Sequence, residues 1–331
     1  MNIHEFSTQV EMELERNYFP KSKGFEINRM SITKDNDTKL HGLNIRHKSQ
    51  QVAPTFYLDN FLGNSPAATA RKIATKYEKC QKDERFNIEK KLSDFFNFDK
   101  SKQKICYRLI NEQFNHDYLQ DKPSIPVAGD LRAVFYVDVS PDATITITDE
   151  LTRRWGIDDR HAAQILYDYA SKNTERLKPV KLQTLSEIIF GFFKEDCPDA
   201  DIPSSEDFSD MIKSHTRNTD AFVLSNSDTR FGASVMLYQN GQQLNLALQE
   251  INRRTNQNFT SVYILPSSVH ELLIIPDNGY YEIEELQAMV TAVNETEVAP
   301  NEFLSNQIYH YNKHTGLRMI TSPERSMDIE R

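Results

Sequence analysis

The sequence predicts an α+β protein. An N-terminal mixed α/β module is expected over residues 1–122. A C-terminal α+β module is expected over 123–311, as an antiparallel β-sheet in ββαββα order covered by helices, with a polar tail at 312–331. Three observations predict this. Apolar residues recur in turn at strand and at helix spacing through the last third of the chain. The stretch Asp121-Lys122-Pro123-Ser124-Ile125-Pro126 carries two prolines, which block regular structure and mark a linker between modules. The ten glycines are so dispersed that the closest pair is Gly232 and Gly241. A phosphate-cradling loop needs two or three glycines within about six residues, so the nucleotide-binding α/β folds are excluded.

Ile3, Phe6, Val10 and Leu14 lie on one helical stripe and predict an N-terminal amphipathic helix. Gly24 opens an extended stretch, Phe25–Thr33, which turns at Lys34-Asp35-Asn36-Asp37 into a partner strand, Leu40–His47. A third strand is expected at Thr55–Leu58. From Pro66 to Phe98 the period is helical, and Lys104–Ile110 reads as a strand. Ala133–Val139 and Ala143–Thr148 form a hairpin across Ser140-Pro141-Asp142, the second strand alternating threonine with isoleucine. Trp155-Gly156 ends a short helical turn. Asp158 caps a helix to Leu177, which Pro179 stops. Beyond the acidic loop 195–210, strands are expected at Ala221–Leu224 and Ala233–Tyr238 and a helix through Leu244, Leu248 and Ile251. Strands Val262–Leu265 and Leu272–Ile275 and a helix through Ile283, Leu286 and Val290 complete the order.

Composition bounds the function. With 38% hydrophobic and 26% charged residues, the chain can build cores. No apolar run reaches the length of about 20 residues that spans a bilayer, and the acidic N-terminus is unlike a secretory leader. A cytoplasmic protein with no membrane partner is expected. Cys80, Cys106 and Cys197 form neither a disulfide framework nor a zinc pattern. Net charge is −9 and concentrated after residue 126, which disfavours nucleic acid as a partner there. No cofactor and no metal ion is expected. The loop 195–210 has seven acids but lacks the register of a calcium loop.

One segment bears reactive groups in close order: Tyr263-Ile264-Leu265-Pro266-Ser267-Ser268-Val269-His270-Glu271. Ser267 or Ser268 could serve as nucleophile with His270 as base, Glu271 beside it, and Asp277 orienting the histidine if the strand pair folds back. The structural alternative is a turn whose serines bond backbone. His310 and His314 have the i, i+4 spacing of a metal grip but lie in a stretch expected to be loose tail. Residues 69–108 mix basic and aromatic side chains, as a nucleic-acid contact or as a solvated helix face.

Several blocks carry a resemblance. They include Phe56-Tyr57-Leu58-Asp59, Ile105-Cys106-Tyr107-Arg108-Leu109-Ile110-Asn111, Asp130-Leu131-Arg132-Ala133-Val134-Phe135-Tyr136, Asn173-Thr174, the segment Tyr263–Glu271 with Pro276-Asp277, and Val298-Ala299-Pro300 through Leu304-Ser305 to Tyr309. In this order they resemble an uncharacterised bacterial family, a domain of unknown function common in gut anaerobes, over roughly residues 1–311. The resemblance implies a full-length intracellular protein of one family type. It implies no activity, and no catalytic residue is carried over. The leading expectation is therefore a non-catalytic accessory or binding protein, whose partner is unidentified and could be another protein. The alternatives are a hydrolase-like or metal-assisted enzyme centred on Pro266–Asp277, and a nucleic-acid accessory factor using 69–108.

Overall fold

Asn2 opens the first helix through a reciprocal cap. Its side chain accepts the Glu5 N–H at 2.9 Å, and the Glu5 carboxylate accepts the Asn2 N–H at 3.2 Å. This computed structural model describes residues 2–50, 53–82, 95–140, 143–196 and 221–320. They fall into two compact units, Met1–Ser101 and Lys102–Arg331.

In the first unit, helix α1 (Ile3–Asn17) buries Phe6, Val10 and Leu14. The i, i+4 spacing of these residues puts them on one stripe. Strands β1 (Phe25–Thr33), β2 (Lys39–His47) and β3 (Thr55–Tyr57) form an antiparallel sheet in that order. Helix α2 (Pro66–Lys82) packs against α1. Its buried Ile73 and Tyr77 join Phe19, Leu43 and Ile45 in one core. Burial of that stripe turns Arg71, Lys72, Lys76 and Lys79 outward, as on a solvated helix face. Residues 83–94 of the basic 69–108 region lie outside the described residues.

The second unit holds two sheets. The smaller has the order β4-β6-β5, with β7 pairing β6, from β4 (Ile105–Asn111), β5 (Ser124–Ala128), β6 (Leu131–Ser140) and β7 (Ala143–Thr146). Asp121–Pro126, expected as a linker, lies inside this unit and runs into strand β5. Pro126 is tolerated because β5 is an edge strand, where a missing N–H costs no ladder bond. Thr148 caps helix α3 (Asp149–Arg154), and Asp158 caps α4 (Asp159–Leu177). Helix α4 covers the free edge of β4. Thr174 Oγ1 accepts the Tyr107 N–H at 3.1 Å, and Asn173 Nδ2 donates to the Ile105 carbonyl at 3.0 Å. These polar side chains blunt a buried sheet edge that would otherwise hold unpaired backbone groups.

The larger sheet is antiparallel throughout, in the order β13-β12-β10-β11-β9-β8. Its strands are β8 (Val180–Thr184), β9 (Phe222–Asn226), β10 (Ser261–Leu265), β11 (Leu272–Pro276), β12 (Ile308–Asn312) and β13 (Gly316–Ile320). Helices α5 (Leu185–Asp196), α6 (Gln242–Thr255) and α7 (Ile283–Thr296) connect them. Leu286 and Val290 of α7 pack on Leu265, Ile275 and Ile308. The antiparallel sheets with helices bear out the α+β class, but not the ββαββα order. Ala233–Tyr238, expected as a strand, begins as a 3-10 helical stretch that breaks at Tyr238, with Gly232, Ala233, Ser234, Val235 and Met236 buried among β4, β9 and α4. A short apolar run buried on all sides carries no period that separates strand from helix. The expected loose tail after Tyr311 is also corrected over its described part. Residues 312–320 complete β12 and form β13, whose register runs from Ile308↔Ile320 to Asn312↔Gly316. Residues 321–331, and 197–220 with nearly all of the acidic loop, lie outside the described residues. Among the described residues, no helix is long and apolar enough to cross a membrane.

Candidate functional site

The segment between β10 and β11 is clamped from two sides by backbone bonds. On one side it pairs with residues 302–305. Val269 N–H donates to the Glu302 carbonyl at 2.9 Å, Leu304 N–H to Ser267 at 3.0 Å, and Ser305 N–H to Pro266 at 2.9 Å. On the other side Ala233 N–H donates to the Val269 carbonyl at 3.2 Å, and Ser225 Oγ donates to the His270 carbonyl at 2.7 Å. Gly232 is required beside them, because a Cβ there would lie 2.0 Å from Ser225 Oγ and 2.1 Å from the His270 oxygen.

The clamp presents Ser268, His270 and Glu271 to an open cavity of about 420 Å³. Thr229 and Arg230 supply another wall, and Glu297, Val298 and Glu302 the third. Ser267 is not among its lining residues. Asp277 is at the opposite end of β11, where it bonds Ser261 Oγ at 2.9 Å, His310 Nε2 at 3.0 Å and the Gly279 N–H at 3.3 Å. The histidine that Asp277 orients is therefore His310, because β11 runs straight and carries the carboxylate away from His270. His310 is buried in β12 and His314 follows that strand, so the two do not share a helix face. Among the described residues, no group of three or more His, Cys, Asp or Glu is arranged to hold a metal ion.

The hydrogen bonds decide what the three convergent groups can do. Ser268 Oγ accepts the His270 backbone N–H at 3.0 Å, and its hydroxyl lies close enough to the Glu271 carboxyl to lower its pKa. His270 Nδ1 accepts the Phe231 N–H at 3.3 Å. An imidazole accepting at Nδ1 carries its proton on Nε2. That nitrogen faces Glu302 Oε1 at 3.7 Å. The Phe231 ring lies nearly parallel to His270, with planes 10° apart, and the Arg108 guanidinium stacks on Phe231 at 4.9 Å. Burial pushes the Glu271 carboxyl above the ordinary glutamate range. His270 and the Ser268 hydroxyl pull the other way, and Glu302 adds to the rise.

Arg230 is turned towards the smaller sheet. Its guanidinium bonds Asp138 at 2.6 Å and lies 3.9 Å from Asp228. Lys178, almost wholly buried, joins the same two carboxylates, at 3.0 Å from Asp138. Thr229 and Phe231, on either side of Arg230, both have φ of 57°. Left-handed backbone is uncommon for β-branched and bulky residues and collects at binding sites.

Sequence reading found Ser268, His270 and Glu271 because they are neighbours in the chain. It missed Thr229, Arg230, Glu297 and Glu302. The one available signal lay in Val298-Ala299-Pro300, a block of the resemblance that proves to flank the cavity. A family model described as a family of unknown function (DUF5688) matches residues 3–313. No curated protein and no solved structure matches.

Proposed function

This chain belongs to the family DUF5688, and we propose that it is a non-catalytic binding protein of the cytosol whose site is the cavity at His270 and Glu271. The observation that carries this reading is the commitment of His270 Nδ1 to the Phe231 N–H. A hydrolase base must accept a proton from its nucleophile through a bare ring nitrogen. Here the nitrogen on the cavity side already bears the proton, and Ser268 Oγ is engaged by the His270 backbone N–H and not by its ring. The cavity keeps what recognition needs: one imidazole donor, three carboxylates and two hydroxyls on a rigid frame. The carboxylates also oppose a phosphate backbone, which speaks against the nucleic-acid alternative at this site.

A second reading has one observation in its favour. A buried carboxyl with a raised pKa in a cleft is the form taken by general acids and bases. The test is a thermal-shift screen of the full chain and of Glu271→Gln against small molecules, with product analysis of every hit. A ligand at a hundred times its Kd adds about 2.7 kcal/mol to stability. The binding reading expects a shift that Glu271→Gln removes, with the ligand recovered unchanged. Turnover lost in Glu271→Gln but kept in Ser268→Ala would establish the acid–base enzyme instead.

A further inference from the structure

The polar cavity does not end at Glu271. Thr229 and Glu271 also line a second cavity, of about 520 Å³, beside strands β8 and β9 and the first turns of helix α5. Its apolar surface comes from Leu185, Ile188 and Val223. Thr184 holds this wall in place by capping α5. Its Oγ1 accepts the Glu187 N–H at 3.0 Å, and its own N–H donates to the Glu187 carboxylate at 2.8 Å. The two cavities therefore adjoin at Thr229 and Glu271, the first lined mainly by polar and charged groups and the second mainly apolar in surface, with Lys181 and Glu187 also on its wall. Each is of a size that takes a small molecule.

The charge at the polar end is one-sided. Glu271, Glu297 and Glu302 face it. The positive charges of Arg230 and Lys178 are together balanced by Asp138 and Asp228, with Arg230 at 2.6 Å and 3.9 Å from them, and His270 offers an N–H. An anion placed there would meet three carboxylates, whereas an ammonium or guanidinium group would be drawn in. Resting on the binding reading above, we infer that the two adjoining cavities act as one cleft and take a small amphipathic amine. Its cationic head lies among Glu271, Glu297 and Glu302, and its hydrocarbon group lies along Leu185, Ile188 and Val223. The hydrocarbon supplies affinity by leaving water, and the head supplies selection against acids and alcohols.

The experiment is calorimetric titration of the full chain with n-hexylammonium, ethylammonium, hexanoate and hexan-1-ol, repeated on the double variant Glu297→Gln, Glu302→Gln. Both glutamates are partly exposed, so the variant keeps its core. Hexylammonium is expected to bind at least about tenfold more tightly than ethylammonium, since each buried methylene favours binding. Hexanoate is expected to bind at least about tenfold more weakly than hexylammonium, and the double variant to remove that preference while leaving hexan-1-ol unchanged. Hexanoate binding as tightly as hexylammonium would overturn the charge assignment, and equal binding of the two amines would overturn the apolar arm. If all four probes fail while the wider screen yields a ligand sensitive to Glu271→Gln, this inference falls and the binding reading stands. If that screen also fails, both fall.

Discussion

Phe231 donates its backbone N–H to Nδ1 of His270 at 3.3 Å and stacks on the same ring, with the centroids 6.0 Å apart. One residue thus sets both the tautomer and the plane of the imidazole. It does so from a left-handed backbone conformation, which costs about 1–3 kcal/mol and persists only where the surroundings enforce it. Arg108 at 4.9 Å and Tyr136 at 5.2 Å hold the Phe231 ring. His270→Ala removes the stack and the acceptor for a part-buried N–H. It is expected to lower unfolding stability by about 1–3 kcal/mol, as read by urea titration. His270→Asn, whose carbonyl can accept the same bond, should recover part of the loss.

Gly232→Ala tests the clamp. The new Cβ would stand 2.0 Å from Ser225 Oγ and 2.1 Å from the His270 carbonyl oxygen, and the latter is backbone that cannot swing away. A loss of about 3 kcal/mol or more is expected in urea unfolding, at the upper end of overpacking effects. Gly191→Ala is the contrast. Within helix α5 its Cβ meets nothing within 4 Å, and a gain of about 0.5–1 kcal/mol is expected. Equal effects at the two sites would show that the clamp yields.

The Glu271 carboxyl is raised by burial. An acid held above its unfolded value favours the folded state below the unfolded pKa, and that contribution is lost as pH rises through the folded pKa. Wherever Glu271 is ionised, its buried charge therefore burdens the fold. Glu271→Gln is expected to be more stable than wild type above the folded pKa, with the difference shrinking as pH falls through that raised value and levelling off by about 4.5. Denaturation midpoints across that range would check this. A less stable variant above that pKa would show that the Ser268 bond outweighs the burial.

The Asp277 carboxyl has the opposite sign. Burial pushes it up, but bonds from His310, Ser261 and the Gly279 N–H outweigh burial and leave it below its ordinary value. Its contribution is complete above the unfolded pKa of about 3.8 and is lost as pH falls through the folded value. Asp277→Asn should be less stable than wild type at pH 6, and the two should converge in acid. A constant difference from pH 6 to pH 2 would mean that packing, not charge, accounts for the loss.

Cys106 lies within β4, and burial, reinforced by Asp138, pushes its thiol up to about 12. The thiolate is the reacting form. Maleimide at pH 8 should leave Cys106 unlabelled in the folded protein and label it fully in denaturant, as read by peptide mass spectrometry. Rapid native labelling would show that β4 opens.

Elements whose pattern is local were legible. Phe6, Val10 and Leu14 form the buried stripe of α1 with Ile3 partly buried beside it, Gly24 precedes β1, and Asp158 caps α4. Helix α5 was legible too, through the capping pair Thr184 and Glu187, but was not read. Strand β5 was hidden because Pro126 speaks for a linker unless the strand is known to lie at an edge. The polar run after Tyr311 concealed a hairpin because β12 and β13 derive their stability from each other and from β10.

By itself the sequence determined the elements with a local period, such as α1, β1 and α4, and that Ser268, His270 and Glu271 stand together, because spacing within one element is a local property. Only the tertiary structure decided what those residues can do. Arg230, Glu297 and Glu302 reach the cavity from chain segments tens of residues away. The N–H that sets the His270 tautomer comes from Phe231, and the carboxylate expected for His270 serves His310. Alternation along a strand says which side chains face inward, but not which distant strand will lie beside it. A hydrogen bond to a histidine nitrogen depends on that neighbour alone.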